Sequence, residues 1–253
     1  LVFISSGIQT VQAEEREWQE LKSEHFIVYY WDDAKFAKEV SRQSEVYYRN
    51  IALELGYQRY SDFWTWENRV KIYIHLDRES FLKATNQPQW SEGVANYTKK
   101  EISSYVLSED FLDALLPHEM THLIFRDYVG FKGEVPLWLD EGVAQWMEPK
   151  KRNAVKSVTA RLAGQGKLLS LRRMMTEDIR DSEDGELVGI YYVQAVSLVS
   201  FLVTKYSAAR FTDFSRQLRD GKGIEESLKF AYPTSIRSIE ELEEKWKGYI
   251  GEG

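Results

Sequence analysis

The residues best suited to chemistry are His118-Glu119-Met120-Thr121-His122. On a helix, side chains at i and i+4 leave the same face about one turn apart, so both imidazoles can hold one ion, with Glu119 beside them and within reach of a water on it. Zinc-dependent hydrolysis needs this combination. The plain structural reading of the same string is a helix carrying two partly buried histidines bonded to backbone. Two histidines leave a catalytic zinc one short of its usual three protein ligands, so the string predicts a partner elsewhere. Glu141 supplies it. Eighteen residues separate it from His122, enough to finish one helix, turn through Gly130 to Gly133 and bring a second helix back. Its neighbours Trp138, Leu139, Val143 and Ala144 are apolar, surroundings in which an unpaired carboxylate is costly and a metal removes the cost. Asp140, next to Glu141, and Glu148, seven residues further on the same expected helical face, are candidates to accept an imidazole N–H and orient the rings.

The elements that must position these residues are legible in outline. Trp18 to Trp31, centred on Glu24-His25-Phe26-Ile27-Val28-Tyr29-Tyr30-Trp31, is aromatic and β-branched and reads as a strand, with His25 a surface or packing residue. Phe36, Val40, Tyr47, Ile51 and Leu55 recur at helical spacing, and Gly56 supplies the stop. Arg69 to Leu76 alternates as a second strand. Its His75 falls in phase with Lys71 and Tyr73 and is expected to face solvent or a neighbouring strand. A short helix around Glu79 to Ala84, a loop through Pro88 and Gly93, and a third strand over Ile102 to Leu107 complete a small mixed sheet with helices packed on it. From Phe111 the strand signal ends. The histidine pair lies in a helix whose regular part Pro117 should begin or kink, and Pro136 opens a second helix that Pro149 stops. Further helices are expected near 154–163, 170–176, 188–206, 209–219 and 224–232, and Ser238-Ile239-Glu240-Glu241 is a capping box for the last. The fold class is therefore α+β: residues 14–110 an α/β part, 111–253 a helical part, together one domain over 14–253.

Composition narrows the function. The 253 residues are 43% hydrophobic and carry a formal net charge of −7, which builds an ordinary core and argues against a nucleic-acid surface. There is no cysteine, so any metal must be held by His, Asp or Glu. Leu1 to Ala13 looks like the tail of a secretory signal with a small-residue cleavage site, giving the expectation of a secreted or periplasmic, cell-envelope protein. No run approaches the roughly 18 apolar residues a bilayer span needs, so none is expected.

The two motifs together, His118-Glu119-Met120-Thr121-His122 and Trp138-Leu139-Asp140-Glu141-Gly142, resemble the zinc peptidases of the gluzincin group, above all the aminopeptidase N-like members, and more nearly the small bacterial peptidase MA-like family, from about Trp18 to the C-terminus. The resemblance implies a zincin-type catalytic half, Zn2+ as cofactor, a peptide or protein substrate, His118, His122 and Glu141 as ligands and Glu119 as general base. It also implies a tyrosine that stabilises the tetrahedral oxyanion. Within Gly189-Ile190-Tyr191-Tyr192-Val193-Gln194-Ala195, the Tyr-x-Gln-Ala spacing favours Tyr192, with Tyr191 the alternative. The aminopeptidases bind the substrate's free amine through a Gly-x-Met-Glu-Asn strand. Here the nearest string, Gly93-Val94-Ala95-Asn96, lacks the glutamate, which points to an endopeptidase. The strand at Ile102 to Leu107 is the expected edge for an extended peptide. A zinc-stabilised interaction domain of the cell envelope, without turnover, is the competing reading. Such a site has no use for Glu119 and prefers a closed fourth position.

Overall fold

Alternation of apolar residues builds the sheet in this computed structural model, which describes residues 17–57, 64–89, 91–106, 110–130, 135–180 and 182–251. The leader expected over 1–13 lies outside the described residues. Five strands, β1 (Gln19–Lys22), β2 (Phe26–Tyr30), β3 (Val70–His75), β4 (Gly93–Asn96) and β5 (Glu101–Tyr105), lie in the order β1-β2-β3-β5-β4. Both β2 and β5 run parallel to β3, while β1 and β4 are antiparallel to their neighbours. The parallel step from β2 to β3 needs a crossover, which α1 (Ala34–Glu54) provides. Asp33 starts it by accepting the Phe36 N–H at 2.8 Å. At its end Gly56 takes φ +76°, a left-handed angle that suits glycine.

One sheet face carries Phe26, Val28, Val70, Ile72, Ile74 and Ile102, all buried, beneath α1 and the histidine helix. The opposite face is covered at one end by α2 (Arg78–Thr85), and this corrects the expectation for His75. Its phase with Lys71 and Tyr73 holds, but Phe81 of α2 and Trp18 lie against its ring at 6.0 and 5.3 Å, so it is buried rather than solvent-facing. Burial also pushes its pKa down, against a weaker upward pull from Asp77. His25 is a packing residue, as expected: it stacks on Tyr48 at 4.0 Å and bonds the Glu45 carboxylate at 2.7 Å.

The expected edge strand is corrected too. Since β4 folds back onto β5, the strand Glu101–Tyr105 is interior and Gly93–Asn96 is the terminal strand; the end of the expected segment, at 107, lies outside the described residues. Gly93 lies close under Leu115: a Cβ there would stand 2.2 Å from Leu115 Cδ2 and 3.2 Å from Ser103 O, so a larger residue would have to displace the leucine side chain. This close approach lays the terminal strand against the entry to the next helix.

The helical half consists of α3 (Leu116–Val129), α4 (Leu137–Trp146), α5 (Pro149–Gly164), α6 (Leu171–Thr176), α7 (Gly185–Phe201), α8 (Ala208–Arg219), α9 (Ile224–Ala231) and α10 (Ile239–Gly251). Pro149 is a start rather than a stop: α4 ends at Trp146, and Pro149 occupies the first turn of α5, where its missing N–H costs nothing. Ser238 caps α10 by accepting the Glu241 N–H at 3.2 Å, while the Glu241 carboxylate accepts from the Arg237 N–H at 2.8 Å, one residue earlier than a capping box requires. The expectation of no apolar run long enough for a bilayer is also corrected, because Gly185–Tyr206, 22 residues, passes by length and composition. Most of it is enclosed, and residues 194–201 are all buried. It packs on α4, α5 and α10 as a core helix, the other setting in which a helix is apolar on all sides.

Candidate metal centre

A wide π-type turn over Phe111–Leu115 leads into α3, and Pro117 sits in the first turn. The helix then divides its residues: Met120 and Thr121 face the core, fully buried, His118 and Glu119 line a cleft, and buried His122 meets the His118 ring. The Thr121 hydroxyl is spent within the helix, donating to Pro117 O at 2.6 Å. Helix α4 packs across α3 and presents Asp140 and Glu141. Its fit against α7 depends on Gly142, where a Cβ would stand 2.6 Å from Ala195 O and 2.9 Å from Val199 Cγ2. Gly142 therefore fixes how close Glu141 comes to α7 and Tyr192. Helix α7 is held in turn by buried Gln194, whose amide donates to Leu169 O at 3.0 Å and accepts the Leu169 N–H at 2.7 Å.

The geometry brings the expected ligand set together. His118 Nε2 and His122 Nε2 are 3.1 Å apart, and the Glu141 carboxylate oxygens lie 3.8 Å from the first and 3.9 Å from the second. The other ring nitrogens face carboxylates. Glu148 Oε1 is 2.8 Å from His118 Nδ1. Asp140 Oδ1 is 3.1 Å from His122 Nδ1, close enough to attract its proton although the N–H does not point straight at the oxygen. Both candidates for orienting the rings are thus in place, but Glu148 precedes α5 instead of extending α4.

Charge decides what fills the gap between the two Nε2 atoms. Burial alone would raise the Asp140 and Glu148 pKa values. For Asp140 the His122 and Arg126 partners outweigh it, for Glu148 the bonds from His118 and Lys151 do, and both carboxyls end below their usual range. Ionised carboxylates only accept hydrogen bonds, so each ring carries its proton on Nδ1 and turns a lone pair toward the other ring. Two lone pairs 3.1 Å apart call for a positive charge between them. Without metal a proton serves: burial opposes a charged His122, but Asp140, Glu119 and Glu141 prevail and lift its pKa to about 9. A metal ion could take the same place. His118, His122 and Glu141 offer three donor atoms all within 4.8 Å of one another. Glu24, His25 and Glu45 also cluster, but there His25 Nδ1 is taken by Glu45.

Two residues near the set escaped sequence reasoning. Arg126 donates to Asp140 Oδ2 at 2.9 Å, and its guanidinium lies 4.3 Å over the ring of Tyr97, which meets the His122 ring edge-on at 6.1 Å. Arg126 follows His122 by four residues, so the i, i+4 rule used for the histidines would have placed it on their face. Tyr97 directly follows β4 and carries no such signal. Of the two expected tyrosines, Tyr191 is buried and bonded to the Trp138 backbone. Tyr192 lines a cavity of about 500 Å³ together with His118 and Glu141. On the other side of His118 a cleft of about 370 Å³ is lined by Glu119, Glu148 and Gly93 of the terminal strand.

A comparison with curated proteins finds no match. A family model described as the Peptidase MA superfamily matches residues 64–252, which takes in β3 to β5 and every helix that builds the histidine–carboxylate set. With a peptidase-type fold over most of its length and a His118, His122 and Glu141 group able to hold a metal ion, the chain belongs to the Peptidase MA superfamily.

Proposed function

We propose that this protein is a zinc-dependent endopeptidase in which His118, His122 and Glu141 hold the metal. The observation that carries the reading is the pair of imidazoles turned Nε2 to Nε2 at 3.1 Å, with both Nδ1 atoms facing carboxylates and a third carboxylate alongside. When bound, zinc supplies a Lewis acid that polarises a peptide carbonyl and makes a water acidic enough to attack near neutral pH. Everything else is the work of the chain. Glu119, in the cleft beside His118, accepts the proton of the attacking water and returns it to the amide nitrogen, so that the C–N bond breaks with an amine as leaving group. Tyr192 donates a hydrogen bond from its hydroxyl to the carbonyl oxygen as negative charge grows there, and keeps its proton. Its pKa is raised, first by burial and then by Glu141, which keeps the phenol protonated as a donor. Strand β4 offers its free side to an extended substrate, by the backbone pairing through which peptides extend a sheet. With Asn96 where an amine-binding glutamate would be needed, nothing in β4 selects a free N-terminus, and internal bonds are the substrate.

The test is zinc stoichiometry and cleavage of unfolded protein substrates for the wild type and for Glu119→Gln. The proposal expects both to hold one zinc and only the wild type to cut. Equal cutting by both would remove Glu119 from its role, and a wild type without zinc would remove the metal reading.

A further inference from the structure

Arg126 follows His122 by one turn of α3, and its guanidinium donates to Asp140 Oδ2 at 2.9 Å. The other oxygen of that carboxylate, Oδ1, stands 3.1 Å from His122 Nδ1. Where Arg126 sits therefore sets how the carboxylate is turned, and the carboxylate in turn sets the angle of the imidazole. One hydrogen bond leaves a guanidinium free to pivot about it, and Arg126 Nε is buried with no acceptor among the described residues. A long side chain of this kind keeps many rotamers unless something closes them off. The ring of Tyr97 does so, with the guanidinium 4.3 Å over its face. The same ring meets His122 edge-on at 6.1 Å, so it borders both ends of this series of contacts. Tyr97 is itself fixed independently of Arg126. It opens the turn between β4 and β5, where Asn96 accepts the Lys99 N–H at 3.0 Å and Lys100 pairs with Asp127 at 2.7 Å. Asp127, next to Arg126 on α3, also accepts from the Trp64 indole at 2.8 Å. The turn is thus fastened to the helix one residue beyond Arg126. Core packing does not ask for an aromatic ring here, since Tyr97 is 39% exposed.

We propose that Tyr97 is a positioning residue: its ring holds the Arg126 guanidinium against Asp140, and Asp140 so held keeps the His122 ring in the orientation that a metal ligand needs. The inference rests on the metal-dependent peptidase reading above and adds a residue that acts on a ligand through two others. The face of the ring does this work, by its attraction for the cation, and the hydroxyl takes no part.

The experiment measures zinc affinity by chelator competition for the wild type, Tyr97→Leu, Tyr97→Phe, Arg126→Met and the double variant Tyr97→Leu/Arg126→Met. Thermal denaturation and cutting of an unfolded protein substrate are followed in parallel. Arg126→Met should weaken zinc binding about tenfold or more, and Tyr97→Leu about three- to tenfold. Tyr97→Phe keeps the ring and should stay within about twofold of the wild type. Adding Tyr97→Leu to Arg126→Met should weaken binding by less than about twofold more, because a residue that acts through Arg126 then has nothing left to act on. A tyrosine that merely supports the fold would lower Tm without this pattern; Tyr97→Met replaces Tyr97→Leu if circular dichroism shows the latter misfolded. The expected pattern supports the inference even if nothing is cut, an outcome that would sink the peptidase reading alone. Wild-type affinity in Tyr97→Leu, equal losses in Tyr97→Phe and Tyr97→Leu, or losses that multiply in the double variant overturn the inference, and cutting by the wild type then leaves the peptidase reading standing. A wild type that holds no zinc overturns the two together.

Discussion

Gly142→Ala tests how the fold sets the site. The new Cβ would stand 2.6 Å from Ala195 O and 2.9 Å from both Ala195 C and Val199 Cγ2, up to roughly 1 Å inside the ~3.5 Å at which such atoms rest. Two of these three atoms are backbone, so a rotamer change cannot relieve the clash and α4 must move away from α7. Overpacking of this kind costs about 1–3 kcal/mol, and replacing a helical glycine by alanine returns about 1 kcal/mol. The expected net loss is about 0–2 kcal/mol, or a Tm lower by up to roughly 8 °C for a chain this size. Because Glu141 precedes Gly142, a shift of even ~0.5 Å also moves a proposed ligand out of register, and zinc affinity should fall about tenfold or more, by analogy with disturbed metal-orienting groups. Thermal denaturation and chelator competition measure the two effects. Gly189→Ala, in the facing helix with open space before it, is the control and should gain up to about 1 kcal/mol. If Gly142→Ala proves as stable as wild type and binds zinc equally well, the reasoning about α4 and α7 is wrong.

Other outcomes follow from the same contacts. Asp140→Asn and Glu148→Gln should each weaken zinc binding about 10–100-fold in chelator competition, with Asp140→Asn also lowering Tm because Arg126 loses its 2.9 Å acceptor. Tyr192→Phe should leave zinc content unchanged and lower kcat by roughly 100-fold or more, whereas Tyr191→Phe should act on stability alone. For Glu45, burial raises the carboxyl pKa, but the bonds from the His25 ring and backbone and from Ser23 outweigh it and hold it below its ordinary 4.5. A depressed carboxyl stabilises the fold above its unfolded pKa and loses that contribution as pH falls through the folded value. Glu45→Gln should therefore cost stability at pH 7, and the gap from wild type should close as the pH falls below the ordinary carboxyl value of 4.5; a gap independent of pH would contradict this.

What the sequence disclosed follows from which interactions are local. Helical spacing placed His118, Glu119 and His122, and loop length plus apolar neighbours brought in Glu141, since each is a matter of turns and distance along the chain. Asp140 and Glu148 were found for the same reason, although Glu148 reaches His118 from the turn before α5. The strands β2, β3 and β5 announce themselves through β-branched alternation. By contrast, β1 and β4 are four residues each, with no pattern to separate them from loop, and missing β4 put the sheet edge in the wrong place. Burial of His75 depends on α2 and Trp18 arriving from elsewhere, as does the meeting of Tyr97 with Arg126. The apolar run in α7 shows only that it avoids water; that α4, α5 and α10 enclose it is a tertiary fact.

The most direct measurement is made on one pair of purified proteins, wild type and Glu119→Gln, each assayed for bound zinc and for cutting of an unfolded protein substrate. One zinc per chain in both, with cutting at least about a hundredfold slower in Glu119→Gln, is the predicted result. Metal-free wild type, or equal cutting by the two, would contradict it.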